Sequence, residues 1–156
     1  MKFLNYLNED VDMPKELIGT IKGWKYALGI EPNDTIFPGK YGLPSEDDNY
    51  LYHATFEDYL QGIRTHGLIP TKNQTFKGYS SGKSVSVAPN VGEVAYWSSM
   101  GLWSRYDDTK RVFKPIILRF PKNEVEAKEL DRSELLAKHI DCKHIEMWTG
   151  STWNKI

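Results

Sequence analysis

The side chains most able to do acid–base, nucleophilic or metal chemistry are four histidines and one cysteine: His53, His66, His139, His144 and Cys142. No two histidines have the i, i+4 spacing of a helical metal site, and His139 and His144 lie five apart across a predicted turn. A lone cysteine excludes an intramolecular disulfide and a zinc site built on several thiolates. We therefore predict no metal site. The sequence also contains no P-loop, GxGxxG, HExxH or GxSxG motif.

His53 has the most distinctive surroundings, in the segment YLYHATF at 50–56. Apolar and aromatic residues predict a strand over 51–54, and Thr55 is the expected N-cap of a helix over 56–66. Gly67 is the expected end of that helix. Taken alone, a histidine at a strand end is best interpreted as partly buried and bonded to backbone. A functional role depends on what the rest of the chain brings near it.

The rest of the chain alternates between helix and strand. Residues 1–49 are predicted to form an N-terminal helical segment and a loop, with an amphipathic helix over 13–30. Asn90 is the expected cap of a helix over 90–100, and Pro115 indicates an edge or a bulge in a strand over 111–120. The body over 50–156 is predicted to add strands over 84–88, 111–120 and 145–148, a late strand at Trp153, and helices over 90–100 and 133–139. The pattern is typical of an α+β fold.

Composition limits the classes of function. The chain has 156 residues, of which 40% are hydrophobic and 13% aromatic, as in one globular domain. Its 20 basic and 21 acidic residues give a net charge of −1, so no overall basic field favours nonspecific binding to nucleic acid. No apolar run is long enough for a signal peptide or a membrane span. With one cysteine, these features lead us to expect a cytoplasmic protein without a membrane partner.

The order of the segments resembles the catalytic domain of the ADP-ribosyltransferase superfamily. LYHATFEDYLQGIRTHGLIP resembles the opening of its histidine-bearing branch, that of diphtheria toxin and the poly(ADP-ribose) polymerases. In that branch a first strand ends in Tyr-His-Gly-Thr or similar, and the next helix ends in Gly-Leu. KSVSVAPNVGEVAYWSS resembles the following strand and helix, PIILRF the core strand after them, and KHIEMW the element with the catalytic glutamate. The resemblance covers about residues 50–150. It implies a split, two-sheet β core with flanking helices, here preceded by the N-terminal helix.

The resemblance implies that NAD is the substrate and that no metal is needed. His53 would hydrogen-bond the adenosine ribose. The backbone of Ala54 would face the nicotinamide carboxamide, at a position where the family usually has glycine, the residue that best lets a ligand approach backbone. Thr55 would contact the ligand while capping its helix. Ser86 would bond a ribose or the neighbouring glutamate.

Aromatic and basic residues would complete the NAD site. Tyr96 is the preferred stacking partner of the nicotinamide ring, with Trp97 next, because stacking orients the ring and excludes water. Packing on a helix face is the alternative interpretation of both. The loop over 72–83 carries three lysines, Lys83 among them, and would grip the pyrophosphate and cover the site. A solvated loop is the plain alternative.

Breaking the nicotinamide–ribose bond develops positive charge on the ribose, which a carboxylate stabilises. The resemblance places that carboxylate at Glu146. Glu134 and Glu126 are weaker candidates, because one is predicted on a helix and the other in a charged loop. His144, two residues before Glu146, stands where the family tunes its acceptor; arginine-directed members have glutamate there, and members directed elsewhere glutamine. A histidine leaves the acceptor open and could act as a general base.

We therefore expect an NAD-dependent mono-ADP-ribosyltransferase that modifies a macromolecular acceptor, either protein or nucleic acid. The alternatives are an NAD glycohydrolase, the arginine-dependent tRNA 2′-phosphotransferase reaction of a fold relative, and a binding module that has lost turnover. Leu7-Asn8-Glu9 resembles the Leu-x-Glu cleavage sites of proteins packed into the heads of T4-like phages. This implies a phage or bacterial effector that acts in the host cytoplasm, although the same residues also fit an ordinary helix start.

Overall fold

A computed structural model of the chain describes residues 43–70, 85–131 and 134–156. Within these ranges the strands are β1 (Tyr50–Phe56), β2 (Val85–Val87), β3 (Pro115–Pro121), β4 (Ala127–Asp131), β5 (Glu134–Ala137), β6 (Glu146–Trp148) and β7 (Trp153–Lys155). The α-helices there are α1 (Leu60–His66) and α2 (Val91–Thr109). The prediction of a mixed fold of short strands and helices is confirmed. The helix predicted over 13–30 and the loop that holds Lys83 lie outside the described residues.

The larger sheet has the strand order β1-β3-β6-β7, and all its neighbours are antiparallel. The long apolar strand β3 lies inside this sheet, between β1 and β6. The prediction that Pro115 marks an edge or a bulge is therefore wrong. Pro115 is the first residue of β3, opposite Phe56, where a missing backbone N–H does least harm to the ladder.

The smaller sheet has the order β2-β5-β4, also antiparallel. Its middle strand, β5, occupies residues predicted to form a helix over 133–139, and that prediction is wrong. A short apolar run does not distinguish helix from strand by its period. Here pairing on both sides decides it, because Ala137 pairs with Val85 on one side and with Ala127 on the other.

Two helix predictions need correction at their ends. Thr55 is not a cap, because it lies within β1, opposite Ile116. The chain then passes through a 3-10 turn, Glu57–Tyr59, before α1 begins, and α1 ends at Gly67 as predicted. Asn90 is confirmed as a cap, because its side chain accepts the Glu93 N–H at 2.7 Å. α2 continues nine residues beyond the predicted end, to Thr109.

Each face of the larger sheet is covered by a different helix. On one face, Leu118 and Phe120 pack with Ile63 of α1 and with Val87 of the smaller sheet. On the other face, Tyr52 and Ile117 pack with Val91, Val94 and Ala95 of α2. Burial of these apolar side chains on both faces holds the sheet between the helices.

Leu43 and the residues after it belong to the described body. Leu43 is buried in the core beneath α2. Glu46 accepts the first N–H of α2, that of Val91, at 2.8 Å, and the Asp47 N–H donates to the Tyr52 hydroxyl at 2.8 Å. The segment that leads into β1 is thus fixed against the N-terminus of α2.

Among the described residues, one backbone bridge joins the two sheets, between Tyr52 of β1 and Ala88 just after β2. The Tyr52 N–H donates to the Ala88 carbonyl at 2.8 Å, and the Ala88 N–H donates to the Tyr52 carbonyl at 3.0 Å. This isolated bridge fixes the position at which the two sheets separate.

Candidate functional site

The backbone of Ala54 faces the gap between the two sheets. In an antiparallel pair, residues two apart on one strand direct their N–H and C=O groups to the same side. Because Tyr52 exchanges both its hydrogen bonds with Ala88, the N–H and C=O of Ala54 also face away from β3. No backbone hydrogen bond joins them to another described residue. Ala54 therefore presents one donor and one acceptor, side by side, along an open strand edge.

His53 lies beside this edge and connects the two sheets. Its Nδ1 is 2.7 Å from the carbonyl oxygen of Ser86. A carbonyl only accepts, so Nδ1 carries the proton and Nε2 is the acceptor in the neutral ring. Burial lowers the pKa of His53, while the bond to Ser86 opposes that shift. The ring is therefore neutral near pH 7, with a fixed tautomer.

Ser86 sits at the middle of β2, on the exposed side of that strand. Val85 and Val87 on either side of it are buried in the core. Its carbonyl accepts the hydrogen bond of the His53 Nδ1–H, so its backbone takes part in the junction between the sheets. The structure thus brings together His53, Ala54 and Ser86 of the NAD-binding residues named from the sequence. Thr55 is the next residue of β1, on the His53 face of the strand, because side chains alternate.

Glu146 is placed apart from His53. It pairs across the ladder with Arg119, which pairs with Tyr52, so these residues share one face of the larger sheet. His53 pairs with Leu118 and belongs to the opposite face. β6 is also separated from β1 by β3. His53 and Glu146 therefore lie on opposite faces of the larger sheet.

Glu146 is held by Arg119 instead. Its Oε1 accepts the Arg119 Nε–H at 2.9 Å, and the two side chains are only 21% and 16% exposed. The Arg119 guanidinium lies 4.0 Å from the ring centre of Tyr50 and 4.3 Å from that of Trp153. We call these four residues the Arg119 cluster. Ion pairing and two aromatic faces satisfy the charge, as in a structural contact.

Glu134 takes a position that the sequence did not predict. It opens β5, the strand next to β2. Leu136 of the same strand pairs with Ser86. Glu134 is thus on the strand beside Ser86, whereas Glu146 is not. The sequence predicts a helix here because the segment ELLA is too short for its hydrophobic period to distinguish a strand from a helix.

The aromatic candidates lie in the first half of α2. Tyr96 and Trp97 are both partly exposed, and their ring centres are 5.8 Å apart in an edge-on arrangement. The Trp97 Nε1–H donates to Glu93 at 3.4 Å. Among the described residues neither ring belongs to a buried core cluster. Stacking on nicotinamide stays a prediction for both.

His144 lies in a 3-10 turn, Cys142–His144, before β6. Its Nε2 is 3.8 Å from Glu124 Oε2, and its side chain is 25% exposed. Its role in tuning the acceptor or acting as a general base stays a prediction.

Some classes of site and element are absent from the described ranges. There, no group of three or more His, Cys, Asp or Glu side chains is arranged to hold a metal ion. No helix in the part of the chain that the structure describes is long and apolar enough to cross a membrane.

Comparison with models of known protein families gave no match, and comparison with curated protein sequences gave none either. The case for a function therefore rests on the residues of the chain and on the geometry of the β1–β2 junction.

Proposed function

We propose that the chain binds NAD at the gap between β1 and β2 and transfers its ADP-ribose to a macromolecular acceptor. The observation that carries the proposal is the backbone donor and acceptor of Ala54, which form no backbone hydrogen bond with another described residue, beside the fixed ring of His53. A primary carboxamide has one carbonyl and one NH2 group, so it matches one N–H and one C=O of an extended residue. Nicotinamide carries such a group. The two-sheet core supports the same proposal, because the ADP-ribosyltransferase resemblance implies one.

Alanine in place of the family's glycine is compatible with this binding mode. The Ala54 methyl group packs against the core beneath α2. A side chain in a strand stands perpendicular to the sheet, whereas the hydrogen-bonding groups lie in its plane. The methyl group therefore does not occupy the strand edge where the carboxamide would bind.

His53 contributes an acceptor at a defined place. With its Nδ1–H donating to the Ser86 carbonyl, its neutral Nε2 can accept a hydrogen bond from a ribose hydroxyl. A protonated ring would lose that acceptor. Burial, which lowers the pKa of His53, therefore favours the state that binds a hydroxyl.

The proposed catalytic carboxylate is Glu134 in place of Glu146. Glu134 belongs to the strand beside β2, while Glu146 is paired with Arg119 on the other face of the larger sheet. A carboxylate already bound to a guanidinium has less charge to offer a developing oxocarbenium ion. In the reaction the C1′–N bond breaks and nicotinamide leaves with its electron pair. The acceptor's lone pair forms the new bond to C1′ and its proton passes to a base.

The binding step is tested by thermal unfolding with NAD and with nicotinic acid adenine dinucleotide. The second compound has a carboxylate, which cannot donate to the Ala54 carbonyl. We expect NAD to raise the melting temperature, because it binds only the native state, and the acid analogue to raise it much less. Equal shifts from both compounds would contradict the Ala54 binding mode, and the absence of any shift would contradict NAD binding.

The transfer step is tested with NAD labelled in its ADP-ribose part and cell extract as the acceptor source. Label on a macromolecule supports the transferase. Free ADP-ribose without a labelled acceptor supports the glycohydrolase. Binding without loss of NAD supports the module without turnover.

A further inference from the structure

A second arginine–aromatic cluster lies where Arg105 of α2 contacts Phe56, the last residue of β1. Its guanidinium carbon is 5.9 Å from the ring centre of Phe56, 5.5 Å from that of Tyr59 and 5.9 Å from that of Phe113. The Arg111 guanidinium lies 5.0 Å from the Phe113 ring as well. We call these five residues the Arg105 cluster. It places two guanidinium groups around one phenylalanine.

The charges of the Arg105 cluster are unequally satisfied. Arg111 pairs with Asp58 at 3.1 Å, whereas Arg105 forms no ion pair with any described residue. Its Nε is buried and has no hydrogen-bond acceptor among the described residues. Aromatic rings attract a cation, but they do not accept hydrogen bonds as a carboxylate does. The Arg105 guanidinium therefore has aromatic contacts but no ion-pair partner among the described residues.

The surroundings of Arg105 are partly open to a ligand. Tyr59 is 40% exposed. The neighbouring cations have exposed side chains, 67% for Lys110 and 72% for Lys114, and they pair loosely with Asp107 at 3.8 Å and Glu57 at 3.7 Å. Exposed pairs of this kind are weak and can exchange partners. An incoming anion would thus meet one unpaired arginine and cations that are easily released.

We propose that the Arg105 cluster binds single-stranded nucleic acid, with a phosphate on Arg105 and a base against Tyr59. A guanidinium offers a planar set of donors that matches phosphate oxygens. A partly exposed tyrosine offers a face on which any base can stack. The near-neutral chain gives no general basic field, so the contact is local. This proposal does not depend on NAD cleavage, since binding is measured without NAD.

The test is fluorescence anisotropy with a labelled single-stranded oligonucleotide, repeated over a salt series. Arg105→Met should weaken binding about tenfold at low salt and reduce the salt slope by about 0.7, the value for one lost phosphate contact. Arg64→Met is the matched control, because Arg64 is an exposed arginine on α1, the helix on the other face of the larger sheet. It should change neither quantity. An equal loss in both variants would overturn the proposal.

Tyr59→Leu separates stacking from charge. It should weaken binding about tenfold while leaving the salt slope unchanged, because it removes a ring and no cation. Arg105→Lys keeps the charge and serves as the variant closest to the native packing. It should bind better than Arg105→Met with the native salt slope, and failure to do so would count against the proposal. Tighter binding of an acidic phosphopeptide than of the oligonucleotide would overturn the choice of nucleic acid.

Discussion

The open edge of β1 and the Arg119 cluster belong to the same four-stranded sheet, yet their polar groups have different partners. At Ala54 a donor and an acceptor face a gap between two sheets. At Glu146 the carboxylate is bound to Arg119, and two aromatic rings cover the guanidinium. Satisfied polar groups stabilise a fold, whereas unsatisfied ones at a strand edge are free to bind a ligand. The difference supports our proposal that NAD binds at the edge of β1 and that Glu146 serves mainly as the ion-pair partner of Arg119.

The strongest test of this comparison replaces each of the two carboxylates in turn by an amide. Glu134→Gln should lower the rate of NAD cleavage by about 100-fold or more, because it removes the proposed stabiliser of the positive ribose. Glu146→Gln should leave the rate within about threefold of the native value. Both rates are measured from the amount of labelled product formed or of nicotinamide released.

Stability gives the matching control for the carboxylates. Glu146→Gln removes the partner of a mostly buried guanidinium, so it should lower the free energy of unfolding by about 2 kcal/mol. Glu134→Gln is expected to lower the free energy of unfolding by a smaller amount, and urea unfolding measures the difference between the two variants. A folded Glu146→Gln protein that has lost all NAD cleavage would show that the comparison has the two sites reversed.

Proline substitutions test the direction of the β1 hydrogen bonds. Thr55→Pro should destabilise the protein by about 1–3 kcal/mol more than Ala54→Pro, because Thr55 donates to the ladder with Ile116 and Ala54 does not. Ala54→Pro should in turn lose NAD binding, since the free N–H is gone. The measurements are urea unfolding and the NAD-induced shift in melting temperature. Equal destabilisation by both prolines would mean that the Ala54 N–H is not free.

The smallest expected effect concerns pH. The pKa of folded His53 lies below its ordinary value of 6.5, so the unfolded chain binds a proton first as pH falls. The stability that depends on neutral His53 is therefore complete above about pH 6.5 and is lost progressively below it. His53→Gln keeps a donor for Ser86 but does not titrate. Its melting temperature should fall less than that of the native protein between about pH 7 and pH 5, and identical pH profiles would contradict this account.

Much of the fold followed from local patterns in the sequence. Asn90 was identified as a cap by its type and place, and Gly67 as a helix end. Both depend on backbone conformation within a few residues. Gly67 has φ = 73°, and a Cβ there would overlap the Ile140 carbonyl oxygen. Such local demands are visible in a sequence.

The failures came from contacts between distant residues. β5 is a strand because β2 and β4 pair with it, which a four-residue apolar run does not reveal. The contact between Glu146 and Arg119 likewise joins residues 27 positions apart through strand register, so the local sequence around Glu146 does not reveal it. The position of a residue on a strand decides which face its side chain occupies. A prediction that shifts the register by one residue, or assigns the wrong element, therefore places that residue on the wrong face.

The bridge between Tyr52 and Ala88 joins two sheets whose strands come from distant parts of the chain, and this affects how the protein is made. The proposed site draws on β1, β2 and β5, and β1 itself is completed only by pairing with β3, whose residues come about sixty positions later. Pairings so distant along the chain form slowly, because a long loop must close first. During synthesis the proposed NAD site cannot assemble until β5 has left the ribosome. A translating cell would thus be exposed to the proposed activity only after most of the chain is complete.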